Sequence, residues 1–282
     1  MFNRIAKPLL MGILNVTPDS FSDGGRFIAV SDAVLQAQQM LAAGADIIDI
    51  GGESTRPGAE SVSVEQQIER VVPVIAAIRL QLGAEVLISI DTTSQAVAAA
   101  ALNAGAAIIN DISAGLHDTQ MFSLAASRNV PIILMHMQGS PKTMQEQPYY
   151  DDVVAEVLEH LHKRIALALR TGIKAHNIII DPGIGFGKRR DDNVRLLAHL
   201  QRFVDSGYAV LLGTSRKRFM GAICSVNTPA ELVTATAVTT ALGVMAGVKL
   251  FRVHDVLENR QALDVAWAIK TIDEQGGHEE NV

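Results

Sequence analysis

Eight short aliphatic runs recur along the chain at regular spacing: Leu9–Val16, Ala45–Gly51, Glu85–Asp91, Ala106–Ile112, Pro131–Met137, Asn177–Gly183, Ala209–Ser215 and Val248–His254. Each has the length of a strand. None alternates cleanly between apolar and polar residues, so each reads as a strand covered on both faces, as in a parallel sheet. Between them lie segments with apolar residues at helical spacing: Ser31–Ala43, Ser63–Leu82, Ser94–Ala104, Met121–Arg128, Asp151–Arg170, Asn193–Phe203, Pro229–Ala246 and Glu258–Glu274. Ser31 is a candidate N-cap, and glycines follow several of these segments where a helix would stop. Strand and helix alternating eight times predict an α/β fold, a single (β/α)8 TIM barrel over 1–275 with a polar tail at 276–282. An open doubly wound sheet is the alternative. It usually has fewer strands and a glycine-rich nucleotide loop after the first, whereas here Asn15-Val16-Thr17-Pro18-Asp19 follows.

Composition narrows this picture. The 282 residues suit one barrel, which typically needs about 250. Hydrophobic residues make up 48% and aromatic residues only 4%, so the core must be aliphatic. A net charge of −6 argues against a nucleic-acid partner, yet it leaves room for a local anion site. The uncharged stretch Leu232–Val248 is shorter than the ~20 residues of a membrane span and reads as a buried helix. Cys224 is the single cysteine, which excludes an intrachain disulfide, and it reads as a small apolar filler. With no signal-peptide pattern in Met1–Leu10, a cytoplasmic protein without membrane attachment is expected.

A (β/α)8 barrel carries its site at the C-terminal ends of the strands. Those ends hold Asn15, Gly52-Glu53-Ser54-Thr55-Arg56, Asp91, Asn110-Asp111, His136, Asp181, Ser215-Arg216-Lys217, and Arg252 with His254. A structural barrel needs no such polar ring, so the ends predict one convergent site. Asp91, Asn110 and Asp181 suit a flat heterocycle with adjacent N–H donors, because a carboxylate can accept two parallel hydrogen bonds. Arg216, Lys217, Arg252 and His254 suit phosphate. Arg252 should share a face with Leu250 and His254, and an Arg and a His pointing into a barrel mouth imply an anion. Asn110 is favoured over Asp111, for which a local cap is equally open. His136 reads at least as well as a satisfied strand-end histidine as a ligand. Gly183-Ile184-Gly185-Phe186-Gly187 reads as backbone that approaches a flat ligand closely. His160, His162, His176 and His199 read as surface residues, and Tyr149 to Asp152 as a solvated helix start.

Two segments, Met11-Gly12-Ile13-Leu14-Asn15-Val16-Thr17-Pro18-Asp19-Ser20-Phe21-Ser22-Asp23-Gly24-Gly25 and Gly51-Gly52-Glu53-Ser54-Thr55-Arg56-Pro57-Gly58, closely resemble the signatures of the dihydropteroate synthases. The resemblance continues, in matching order, through Asp181–Lys188, Gly213–Lys217 and Arg252–Asp255. It implies a homodimeric, Mg²⁺-dependent folate-pathway transferase. Such an enzyme condenses a dihydropterin-methyl diphosphate with 4-aminobenzoate, for which sulfonamides compete. It also implies roles. Asp91, Asn110, Asp181 and Lys217 would hold the pterin, with Met135 as an apolar wall. Arg252 would stack on the ring and reach pyrophosphate. Asn15 and His254 would bind pyrophosphate, Asn15 also holding Mg²⁺. Phe21, Thr55, Arg56, Pro57, Phe186, Ser215 and Lys217 would form the 4-aminobenzoate site, and loops carrying Asp23 and Arg56 would close over the substrates. Asp23, Arg56, Lys217, Arg252 and His254 are the expected catalytic set. Met1–Lys7 is short for a hairpin closing the barrel bottom. Two rivals stand beside this reading: a methyltetrahydrofolate-dependent corrinoid methyltransferase, and a non-catalytic pterin-binding barrel. The first has no need of the Ser215-Arg216-Lys217 site, and the second would have lost Asn15, Asp181, Lys217 or His254.

Overall fold

A computed structural model describes Phe2 and residues 5–16, 26–53, 62–140, 143–144 and 146–275. Eight parallel strands close on themselves: β1 (Leu9–Asn15), β2 (Ile47–Gly51), β3 (Leu87–Asp91), β4 (Ile108–Asp111), β5 (Ile132–Met135), β6 (Ile178–Asp181), β7 (Ala209–Leu212) and β8 (Leu250–Val253). Each pairs with the next, and β8 pairs with β1 through Leu9↔Leu250 and Met11↔Arg252. All eight sit inside the runs that the hydrophobic pattern marks. The helices are α1 (Arg26–Ala42), α2 (Val64–Leu82), α3 (Gln95–Ala104), α4 (Met121–Arg128), α5 (Val153–Arg170), α6 (Arg190–Ala198), α7 (Leu200–Val204), α8 (Arg218–Cys224), α9 (Val233–Ala246) and α10 (Val256–Gln275).

Several boundaries differ from the pattern, for local reasons. Ser31 does not cap α1, which begins at Arg26. Ser63 does cap α2, in a reciprocal pair: the Gln66 N–H donates to Ser63 Oγ, and the Ser63 N–H to Gln66 Oε1. The expected helix over 193–203 starts at Arg190 and breaks at His199, which leaves helical geometry while its ring bonds the Arg195 carbonyl. The short α8 carries no periodic pattern long enough to see in the sequence. Cys224 ends it and is exposed, so it is not core filler. The 232–248 stretch is not buried all round either: Val238, Leu242 and Met245 on α9 face outward. Among the described residues no helix is long and apolar enough to cross a membrane. The polar tail at 276–282 lies outside the described residues.

The two faces of the strands feed two separate cores. Outward residues such as Ile48, Ile50, Ile88, Ile90, Leu134 and Phe251 pack beneath the helices. Inward residues Met11, Ile47, Ile108, Ile133, Ile179, Ala209, Leu211 and Leu250 fill the barrel. Because side chains repeat every two residues, one step along each inward row explains where the site sits. Ile47 leads to Asp49, Leu87 to Ser89 and Asp91, Ile108 to Asn110, Ile179 to Asp181, and Leu250 to Arg252 and His254. The lower half of the barrel is aliphatic and the upper half polar.

Among the described residues, the bottom is closed by Phe2 and no hairpin is seen there. Phe2 is 1% exposed and packs into the inward cluster with Ile47, Ile108 and Ile179. Lys249 Nζ holds the incoming segment by donating to the Ile5 carbonyl at 2.9 Å. Phe2→Ala should therefore open a cavity under the inner layer and cost about 3–5 kcal/mol. Urea unfolding would measure the loss, and kcat well below the melting temperature should stay unchanged because the plug lies at the far end from the polar half.

Candidate active site

Arg252 crosses the floor of the polar half. Its Nε donates to Asp49 Oδ2 at 2.6 Å and its Nη2 to Asp91 Oδ2 at 2.6 Å. Burial alone would lower its pKa, but the Asp49 and Asp91 carboxylates overcome that and hold it above the ordinary guanidinium value. Asp49 is fully buried, and the same Oδ2 accepts from Asn110 Nδ2 at 3.1 Å. One carboxylate thus orients two of the expected pterin residues. Among the described residues, Asp49 Oδ1 and Ser89 Oγ have no hydrogen-bond partner. Sequence reading overlooked Asp49. The signal was there: an Asp in the inward phase of the aliphatic strand Ile47-Ile48-Asp49-Ile50-Gly51.

The carboxylates above this floor are held near neutrality. Burial pushes Asp91 up to about 7 against the pull of Arg252. Burial likewise pushes Asp181 up to about 6, opposed by the Gly183 N–H and by Lys217, Lys188 and Arg252. The Gly183 N–H donates to Asp181 Oδ1 at 2.7 Å, which ties the carboxylate to the turn after β6. Met135 shares the inward phase of β5 with Ile133, as an apolar wall would. Asn110 faces inward and Asp111 outward. Asp111 accepts from Ser113 N, Ser113 Oγ and Gly115 N and so organises the β4–α4 turn, which resolves its role as local support.

The anion half is partly as expected. Ser215 Oγ accepts the His254 N–H at 3.1 Å and lies 3.0 Å from His254 Nδ1. The two contacts fix the orientation of the His254 ring at the barrel mouth. Lys217 Nζ lies 4.0 Å over the Phe186 ring, and burial brings its pKa down to about 8. Arg216 departs from the expected phosphate donor set. It has φ 58° and pairs with Asp255, through Nε to Oδ2 at 2.9 Å. Asn15 closes β1 at the mouth. A Cβ on Gly51 would meet Asp91 Oδ2 at 3.7 Å and Asn15 Oδ1 at 3.8 Å, so both oxygens border the space that Gly51 leaves open. Phe21, Asp23, Thr55, Arg56 and Pro57 lie outside the described residues.

The glycines of 183–187 set how the loops at the mouth pack. A Cβ on Gly183 would sit 1.8 Å from the His136 carbonyl oxygen, and one on Gly187 2.3 Å from that of Gln138. Their freedom lets the β6 loop lie flush on the β5 loop. His136 is a satisfied histidine: its Nδ1 is 2.9 Å from Lys188 Nζ, and burial takes its pKa down to about 2. His160 is no surface residue. Its ring meets His136 edge-on at 4.8 Å, since its position on α5 falls one turn after the buried Val157. Tyr150 is buried rather than solvated, and its hydroxyl donates to the Gly187 carbonyl.

A closed parallel barrel with carboxylates, an amide and cations gathered at its mouth is the frame of a pterin-binding enzyme, and residues 11–254 match the family model described as "Pterin binding enzyme". The dihydropteroate synthase of Escherichia coli strain K12 is 45% identical over 275 residues, covering 98% of this chain and 96% of that protein. The Yersinia pestis dihydropteroate synthase in a sulfonamide drug complex superposes with a TM-score of 0.87 at 42% identity, over 94% of this chain and 95% of the other. The Xanthomonas albilineans enzyme with 4-aminobenzoic acid gives 0.87 at 45%, over 94% and 93%. The chain belongs to the dihydropteroate synthases, transferases of the folate pathway.

The raised Asp181 pKa makes the pterin side of the site costly to the fold. The folded protein binds more protons than the unfolded chain between pH about 4 and 6, so stability falls as pH rises through that window. Asp181→Asn removes this loss. The variant should gain up to about 3 kcal/mol over the parent at pH 7 and nothing at pH 3, from about 1.4 kcal/mol per pKa unit. Denaturant midpoints at both pH values would measure the difference.

Proposed function

We propose that the chain carries out its family's condensation with the pterin seated on Asp91, Asn110 and Asp181 against Met135. The carrying observation is the pair of buried, near-neutral carboxylates Asp91 and Asp181 beside an amide, a site built to accept adjacent ring N–H donors. Lys217 and Arg252 would complete the pterin site, Arg252 reaching the diphosphate from the floor. His254, its ring oriented by Ser215, would donate to the diphosphate. The C–O bond of the pterin methylene breaks, and the electron pair leaves with diphosphate. The electron-rich pterin shares the positive charge until the aniline nitrogen forms the C–N bond and loses a proton. No protein nucleophile is needed. Donors fixed in place before reaction stabilise the leaving charge without reorganising.

Mg²⁺ fits what is present. Asn15 Oδ1 is a hard oxygen donor at the mouth, and Mg²⁺ commonly needs only one or two protein ligands when phosphate oxygens supply the rest. Among the described residues no group of three or more His, Cys, Asp or Glu could hold an ion alone. Bound with the diphosphate, the ion would neutralise part of its charge. We place 4-aminobenzoate, and the sulfonamides that compete for it, against Phe186, Ser215 and Lys217, with Phe21, Thr55, Arg56 and Pro57 closing the site and Asp23 in the covering loop. We read 1–275 as one barrel domain in a cytoplasmic protein.

The test is diphosphate release from the pterin diphosphate with and without 4-aminobenzoate. Release dependent on the aniline supports the synthase over both the corrinoid methyltransferase and a silent pterin-binding barrel. Asp181→Asn should lower pterin affinity at least tenfold, since the new amide N–H would face ring donors and a buried mismatch costs about 1–3 kcal/mol. His254→Ala should weaken only ligands that carry diphosphate.

We also infer a homodimer through α9 and α10, which pack side by side. Val238, Leu242 and Met245 on α9, with Val265, Ile269 and Ile272 on α10, form an exposed apolar face of a kind that usually meets a partner. Leu242→Glu, 60% exposed and so harmless to the monomer core, should shift sedimentation towards monomer. A variant that stays dimeric would put the interface elsewhere.

A further inference from the structure

Lys188 is a lysine buried to 3% exposure that the reaction described above does not use. Burying an ammonium is expensive unless its protons and its charge are both answered. Its protons are answered: Nζ lies 2.9 Å from His136 Nδ1, 3.0 Å from the Phe186 carbonyl and 3.4 Å from the His136 carbonyl. Three N–H groups meet three acceptors, and two of these belong to the loop after β5 while the third belongs to the loop after β6. The Gly183 and Gly187 contacts described above press those loops together, and Lys188 ties them from inside. Its charge has fewer answers. Among the described residues no carboxylate forms an ion pair with Nζ. The two that act on it at longer range are Asp181 and Asp192. Asp192 is already held by the guanidinium and the N–H of Arg189. Asp181 remains, and its hydrogen-bonded partner is a backbone N–H.

We propose that Lys188 is a positioning residue of the pterin site: its ammonium fixes the loop that carries Phe186 and supplies buried positive charge that keeps Asp181 a carboxylate. The proposal rests on Asp181 as the pterin acceptor. The groups that set the balance come from every neighbouring element. His136 after β5 and His160 on α5 are both held neutral by burial. Lys217 lies across the Phe186 ring and Arg252 on the floor, and both favour the Asp181 carboxylate alongside Lys188. Lys217 opposes the Lys188 charge, while Asp181 and Asp192 favour it, and burial brings Lys188 down to about 7. Asp181 and Lys188 thus each favour the other's charged form. A pterin that holds Asp181 ionised holds Lys188 charged too.

The test uses Lys188→Met, which keeps most of the volume and removes the charge. Binding of 6-hydroxymethylpterin without diphosphate is titrated against pH in parent and variant by calorimetry, so that ionisation of the ligand cancels. Loss of the cation raises the Asp181 pKa, and the carboxylate then forms only at higher pH. The acid limb of pterin affinity should move up by about one unit, with a roughly tenfold loss on that limb. A variant with altered melting but an unmoved acid limb overturns the proposal, since a purely structural lysine would give that result. If the variant does not fold, the parent labelled with ¹⁵N-lysine replaces it. The titration midpoint of the Lys188 Nζ resonance should rise by about one unit or more when the pterin binds, and an unchanged midpoint overturns the proposal. Failure of the underlying site reading looks different: Asp181→Asn would then bind pterin as well as the parent does.

Discussion

The Arg252 guanidinium between Asp49 and Asp91 is the constraint on which the upper barrel depends. A closed barrel excludes water from its interior, so a charge placed there must be answered by charge and hydrogen bonds from other strands. Arg252 on β8 is answered from β2 and β3, and Asp49 in turn holds Asn110 on β4. Four strands are thereby locked into one polar floor. An apolar layer could have filled the space more cheaply. The polar floor leaves carboxylates of raised pKa at the mouth, ready to be used by a ligand whose N–H groups cannot be matched by water there.

The loops at the mouth are arranged around that floor by close backbone approach. Gly183 and Gly187 let the β6 loop meet the β5 loop at distances no side chain would allow. Gly185 does the same for the Lys217 stem, with a Cβ there 2.9 Å from Lys217 Cδ. Phe186 is held between these glycines, its carbonyl on Lys188 and its ring under Lys217. The loop after β6 is therefore tied through one residue both to the buried Lys188 and to Lys217.

Most of the fold was legible from one-dimensional pattern. Parallel barrel strands are buried on both faces, so they stand out as unbroken aliphatic runs, and all eight lie where those runs fall. The polar strand ends were legible for the same reason, since Asn15, Asp91, Asn110, Asp181, Arg252 and His254 fall at the C-terminal ends of aliphatic runs. The resemblance to the dihydropteroate synthases added the loop residues, which no periodicity marks. Asp111 and Arg216 show the limit: each stands beside a true inward residue, and only the phase of the strand or a positive φ turns it away.

The sequence by itself determined the element order and the family, because these are carried by local pattern and contiguous motifs. Only the tertiary structure decided what the buried polar groups do. Asp49, Lys188, His160 and Tyr150 each look like an ordinary member of a strand, loop or helix, and their partners lie 37 to 203 positions away or on another element altogether. The barrel bottom follows the same rule. Nothing in Met1–Lys7 announces a plug, and Phe2 becomes one because closing the eight strands leaves an apolar hole of its size. Such contacts come from three-dimensional closure, which brings distant residues together at one depth in a place without water.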